Sequence, residues 1–312
     1  MTIKRLLWPA LILAVAMTIL SSHLRLSDAG LDCMPWPQCY GLSITVDQNP
    51  GISIDRGDED RLLRVAHRIM ASVFGLFALF LFTWALWFRS KGTPLKSATV
   101  ILILTIMLAL VGMNTPAWDR PIVTLLNLAG GMLLSLVIYN QICGPGKPTG
   151  FRPLMLTPLF LTVCTGAWVS ANFAALGCPG LMQCPLFSTH ELSAAFHPEK
   201  FLELPFHSIS NQITSAQITA AHHFFGIASS VIIAGCLALR YQHRPVLSLI
   251  ISISLVALIF SGLYEGQNRA LTASIHNTIT LLLMLSIVNW SSITPITTNT
   301  NSTSDNAAEE KS

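Results

Sequence analysis

Charge is scarce in this chain. Asp, Glu, Lys and Arg make up 11% of its 312 residues, where a soluble domain carries about 25%. So few charged groups cannot coat a soluble surface. A basic cluster is also missing, and the net charge is only +3, which leaves no electrostatic footprint for nucleic acid. What the chain does have is apolar. Hydrophobic residues reach 52% and the mean hydropathy is +0.59. That composition belongs to a polytopic membrane protein.

Eight apolar stretches approach the length of about 20 residues that a helix needs to cross a bilayer. They lie near 6–22, 68–88, 97–114, 121–140, 153–172, 217–239, 246–263 and 270–290. The expected fold is therefore an all-α integral membrane protein with eight transmembrane helices. Lys4 and Arg5 before the first stretch suggest a signal peptide. No small-residue cleavage site follows, because Ser21-Ser22-His23 runs into Leu-Arg-Leu, so the stretch is read as a helix. With the N-terminus cytoplasmic, Arg89, Lys91, Lys96, Lys147, Arg152, Arg240 and Arg244 fall in short cytoplasmic loops that hold no Asp or Glu. The positive-inside rule reads that asymmetry. The C-terminus is then cytoplasmic too, and residues 291–312, rich in Ser, Thr and Asn, are expected to form a disordered tail.

Two long loops, 23–66 and 173–216, fall outside. They occupy equivalent places in two four-helix halves, 1–145 and 146–290, joined at Gly144-Pro145-Gly146-Lys147-Pro148. Each half has an even number of helices, so the copies share one orientation and the repeat is parallel. The expectation is two pseudo-symmetric four-helix bundles. Each outer loop holds a cysteine pair of the same spacing, Cys33-Met-Pro-Trp-Pro-Gln-Cys39 and Cys178-Pro-Gly-Leu-Met-Gln-Cys184. Disulfides persist outside the cytoplasm, so both pairs are read as disulfides. In the other reading, Cys33 and Cys39 exchange electrons or thiols with a partner. Cys143, Cys164 and Cys236 read as small buried hydrophobes. The charged run Asp55 to Arg61 reads as a solvated outer face, against the alternative of a carboxylate held over a substrate pocket.

Each cysteine pair is followed by a histidine in an apolar segment, His67 and His222. A histidine in hydrocarbon is costly unless it is bound to something. His67-Arg68-Ile-Met-Ala71 aligns with His222-His223-Phe-Phe-Gly226. In both, a small residue lies one helical turn after the leading histidine, on the same face, and leaves room for a flat ligand. The last stretch carries His276-Asn277; its partner in the first half carries Asn127 in Leu125-Leu126-Asn127-Leu128. Two neutral imidazoles facing each other in a four-helix bundle hold haem iron from both sides, each with its other ring nitrogen hydrogen-bonded nearby. His222 and His276 are the expected pair. The competing readings are a helix–helix hydrogen bond, a proton relay, or ligation by His223 in place of His222. For His67 the two readings stand level. Asn127 is a poor iron ligand, so a haem there would be five-coordinate or would recruit another donor such as Met132. His23, His190, His197, His207 and His243 read as solvated loop or interface residues.

These residues resemble the haem A synthase family, cytochrome oxidase assembly proteins that convert haem O to haem A. The segment from Arg25 through Cys33-Met-Pro-Trp-Pro-Gln-Cys39 to Gly41 resembles that family's first external loop. Gly166-Ala-Trp-Val-Ser-Ala-Asn through Cys178 resembles the start of its second half, and His222 with His276-Asn277 resemble its C-terminal histidines. The resemblance implies an inner-membrane, multi-pass oxidoreductase. It implies haem b held by His222 and His276, and haem O as substrate in the first half, beside His67. There a methyl group would become a formyl group through successive hydroxylations. Haem O synthase and an electron acceptor that the sequence does not identify are the implied partners; the oligomeric state stays open. Three positions depart from the family pattern. Arg64 stands where the family has a glutamate, Asn127 where it has a histidine, and His223 where it has an arginine. The catalytic residues are therefore left unassigned, with Glu59 or Asp60 as candidate replacements for the missing carboxylate.

The departures motivate a second reading, a haem-binding assembly or carrier protein that has lost its active site. The outer cysteines motivate a third, a membrane thiol–disulfide redox protein. A transporter built on repeats lacks a charged midplane residue to couple ions.

Overall fold

The computed structural model describes residues 3–28, 58–88, 95–113, 121–144, 150–176, 178, 212–240, 242, 244–263 and 269–292. Every element among them is helical. The helices are α1 (Ile3–Asp28), α2 (Asp58–Trp87), α3 (Leu95–Met113), α4 (Pro121–Cys143), α5 (Phe151–Ala171), α6 (Gln212–Arg240), α7 (Pro245–Leu263) and α8 (Arg269–Trp290), with one short 3-10 turn at Ala174–Leu176. All eight are long and apolar enough to cross a membrane. The fold class read from hydropathy holds.

The ends of the helices differ from the apolar stretches, chiefly by extension, although α2, α3 and α5 each stop one residue early. α1 runs on to Asp28 and α2 starts at Asp58, so Ser21, Ser22, His23 and Arg64 are helical. Hydropathy marks only the part of a helix that suits hydrocarbon, whereas backbone hydrogen bonding continues past it into the polar zone.

Packing follows chain order. Each of α1 to α4 packs on the next, and α4 closes on α1. α5 packs on α6, α6 touches α7, α7 packs on α8, and α8 returns to α5. α4 also packs on α5, and α8 on both α1 and α4, so α1, α4, α5 and α8 form the centre. The outer helices keep large apolar side chains exposed, among them Leu76, Ile103, Ile106, Val231, Ile253 and Phe260. Lipid gains nothing by expelling such groups, so close contact inside relies on small residues. Gly130 and Gly131 show this on α4. A Cβ on Gly130 would lie 2.8 Å from Leu108 on α3, and one on Gly131 would lie 2.8 Å from Thr18 Oγ1 on α1. Two apolar cores result. One joins α1, α2, α3 and α4 around Leu81, Ile101, Leu134 and Ile138. The other joins α4 to α8 around Leu159, Ile233, Ile251 and Met284.

The end of α8 is clamped by two arginines. Arg152 on α5 donates from Nε to Ser291 Oγ at 2.8 Å, from Nη1 to Asn140 Oδ1 at 2.7 Å, and from Nη2 to the Val288 carbonyl at 2.9 Å and Ser292 Oγ at 2.8 Å. Arg244 donates to the Asn289 carbonyl at 2.7 Å and the Ser292 carbonyl at 2.8 Å. The last carbonyls of a helix have no partner within it; here guanidinium groups from neighbouring elements supply them and fix how α8 sits.

Candidate functional site: paired imidazoles in a shared cavity

One cavity of about 1730 Å³ reaches into both groups of helices. Pockets for a single small ligand typically hold about 300–1,000 Å³, so this one has room for more than one. His67, Asn127, His222, His223 and His276 all line it. The structure therefore places these five candidate residues around one space.

His222 on α6 and His276 on α8 face each other, with ring centres 6.4 Å apart and planes at 68°. Both rings lean on glycine. A Cβ on Gly166 of α5 would come 2.9 Å from His222 Cε1, and one on Gly262 of α7 would come 3.2 Å from His276 Cε1. Each ring is also oriented through Nδ1. His222 Nδ1 lies 3.1 Å from the Thr162 carbonyl and 3.4 Å from Thr165 Oγ1. A carbonyl oxygen only accepts, so Nδ1 carries the proton and Nε2 keeps its lone pair. His276 Nδ1 lies 3.2 Å from Ser261 Oγ, whose own proton goes to the Leu258 carbonyl at 2.9 Å. Ser261 therefore accepts, and the same tautomer follows for His276.

Two neutral imidazoles, each with Nδ1 tied back and Nε2 bare, are a ligand pair for a metal ion. Imidazoles that each place a nitrogen about 2 Å from one metal ion have ring centres roughly 6 to 6.5 Å apart. The observed separation fits that requirement. His223 also lines the cavity, its ring 6.2 Å from that of His222, but His222 is the ring that faces His276.

The first half is built differently. His67 lines the cavity from α2, and no described residue hydrogen-bonds its ring. Asn127 on α4 donates from Nδ2 to Ser21 Oγ at 3.2 Å. Met132, the candidate second donor, is fully buried in the core of α4 to α8 and does not line the cavity; it faces the neighbouring helices instead. Arg25, Arg64, Arg68 and Arg269 give the cavity wall four guanidinium groups. Arg25 also stacks over Phe173 at 5.4 Å. Phe173 holds a left-handed backbone, φ 51°, which is uncommon outside glycine and turns the chain sharply just past α5.

α1 contributes a polar strip that the sequence reading missed. Ser22 Oγ accepts from Asn277 Nδ2 at 2.6 Å. His23 Nδ1 meets Ser274 Oγ at 3.1 Å. His23 thus sits half-buried on a helix and ties α1 to α8, where a solvated residue was expected; the polar run that resembled a loop is the outer turn of α1. Cys143, Cys164 and Cys236 form no disulfide, Cys236 buried and the other two half-buried, as expected of small hydrophobes. Cys178 is disulfide-bonded. Cys33, Cys39, Cys184, His190, His197, His207, His243, the side chains of Glu59 and Asp60, and the tail from residue 293 lie outside what the structure describes.

Eight apolar helices around a cavity lined by two opposed imidazoles define a polytopic membrane protein. The sequence pattern of the cytochrome oxidase assembly protein family matches residues 4–289, and the chain belongs to that family. A curated relative, named Heme A synthase, from Shewanella oneidensis, is 30% identical over an alignment of 205 positions that takes in 59% of this chain and 62% of that protein.

Proposed function

We propose that this chain is a haem A synthase-like oxidoreductase of the membrane, oxidising a methyl group of haem O to the formyl group of haem A for cytochrome oxidase assembly. The observation that carries the reading is the His222–His276 pair. Its rings are 6.4 Å apart and both Nδ1 atoms are engaged, which suits haem b held between the two Nε2 atoms. Bound there, haem b supplies a one-electron relay. Haem O, the substrate, lies in the first half beside His67, the remaining lining histidine on that side. Arg25, Arg64, Arg68 and Arg269 suit the two carboxylates of a porphyrin, since guanidinium groups bind carboxylate in fork geometry. Going from methyl to formyl takes one oxygen from water and releases four electrons and four protons, so the reaction needs an acceptor, here reached through the second half.

On this reading the two halves are pseudo-symmetric copies, 1–145 and 146–290. The protein sits in the inner membrane with both termini cytoplasmic. Cys33–Cys39 and Cys178–Cys184 are outer disulfides, and haem O synthase supplies the substrate. The test is expression in a host that makes haem O, followed by pigment extraction. Haem A above the background of the empty host supports the reading. Bound haem b without haem A contradicts the catalytic part and favours a carrier, the role that Arg64 and Asn127 also suit.

A further inference from the structure

α1 packs on both α4 and α8 and offers each of them a hydroxyl. Ser21 and Ser22 are consecutive, so their side chains leave the helix about 100° apart, from Cα atoms about 3.8 Å apart. Ser21 Oγ accepts from Asn127 Nδ2 on α4 at 3.2 Å, and Ser22 Oγ accepts from Asn277 Nδ2 on α8 at 2.6 Å. All four residues line the cavity. Each half therefore meets α1 through the same kind of amide–hydroxyl pair, and the two pairs are neighbours.

Other hydroxyls in these helices direct their proton to their own backbone. Thr18 donates to the Ala14 carbonyl at 2.8 Å, Thr105 to Ile101 at 2.7 Å, Ser274 to Ala270 at 2.7 Å and Thr280 to His276 at 2.8 Å. Ser21 and Ser22 do not. Among the described residues nothing accepts either proton, and nothing donates to Asn127 Oδ1 or Asn277 Oδ1. Turning an amide over exchanges the roles, yet each pair still keeps a donor and an acceptor to spare. Ser22 is only 6% exposed, and a polar group so enclosed is costly unless hydrogen-bonded. Hydrocarbon offers it neither donor nor acceptor.

We infer that this seam is a site for ordered water, which bridges the Asn127–Ser21 pair of one half to the Asn277–Ser22 pair of the other. Buried water needs a roomy, polar place with two to four partners. The seam supplies two acceptors and two donors on a cavity of about 1730 Å³. Water held there joins the two halves by a continuous hydrogen-bonded path, and such a path carries protons. The site itself needs no haem. Its role rests on the function proposed above: a reaction in the first half that draws on water and releases protons has a polar route to that space along this seam.

The test is a structure of the purified full-length protein in a lipid nanodisc, at a resolution that shows ordered water elsewhere in the molecule. Water density should lie within hydrogen-bond distance of both pairs. Ser21→Ala combined with Ser22→Ala should lose it. In a host that makes haem O, the same double variant should yield at least tenfold less haem A per chain, with haem b content unchanged. Water at neither pair of the wild type, or at one pair only, overturns the inference, as does density that persists in the double variant. An unchanged yield of haem A overturns the role given to the water. A wild type with water at both pairs but no haem A overturns the proposed function and leaves the site standing.

Discussion

Ser22 on α1 accepts a 2.6 Å hydrogen bond from Asn277 Nδ2 on α8, one residue from the ring of His276. The helix that presents an imidazole to the second half is thus tied to the first helix of the chain. His23 and Ser274 repeat the tie at 3.1 Å, about one turn earlier on α8. The helix that carries His276 in one half is braced by the other.

Ser22→Ala removes the acceptor of Asn277 while leaving its amide half-buried. A hydrogen bond between membrane helices contributes on average about 0.6 kcal/mol, so the thermal midpoint in detergent should fall slightly. Haem should remain bound, with a shifted redox midpoint as α8 loosens. Ser22→Ala with an unchanged midpoint potential would show that the tie does not reach the ring.

Gly166 and Gly226 should differ in their tolerance of alanine. At Gly166 the new methyl would meet the His222 ring at 2.9 Å; at Gly226 it would meet Thr162 Cγ2 at 3.8 Å, an ordinary contact. Gly166→Ala should displace the ring and lower haem retention roughly 10-fold or more, as second-sphere disturbances of metal ligands do. Gly226→Ala should leave retention close to wild type. Haem-to-protein ratios after purification decide between them.

Ser261→Ala deletes the acceptor that fixes the His276 tautomer. The expected loss is about 10- to 100-fold in haem affinity, read by transfer of haem to an apo-protein scavenger. Ser261→Thr keeps the hydroxyl and should restore most of it. Equal losses in both would assign the effect to packing against Gly262.

Arg152→Lys should not be conservative. Lysine cannot reach Ser291, Asn140, Val288 and Ser292 together, because it lacks the planar fork. Losing charge-assisted bonds to partly buried acceptors costs about 1.5 to 3 kcal/mol each before relaxation, so unfolding in detergent should occur at clearly lower temperature. The spectrum of any folded fraction should be unchanged, since the clamp lies at the far end of α8 from His276.

Much of this was legible in the sequence, for reasons that also mark where it stopped. Hydropathy located all eight helices because spanning hydrocarbon demands long apolar runs. The placing of His222 and His276 followed from the repeat, since a buried imidazole stands out in such runs. The extension of α1 over Ser21, Ser22 and His23 was not visible, because a helix end in the polar zone looks like a loop. Asn127 was recognised as a departure, but its partner Ser21 lies 106 residues away, and only packing reveals that contact. Gly262 backs the His276 ring, and the sequence around it gives no sign of that contact. Met132 shows the opposite error. It has the right chemistry for a donor, but its place on α4 turns it into the core.

The most direct measurement is the optical spectrum and haem content of the purified protein beside its His276→Ala variant. The account predicts a low-spin, bis-histidine haem in the wild type that is lost or turned high-spin in the variant. A colourless wild type after supply of abundant iron porphyrin, or a spectrum that His276→Ala leaves unchanged, would contradict it.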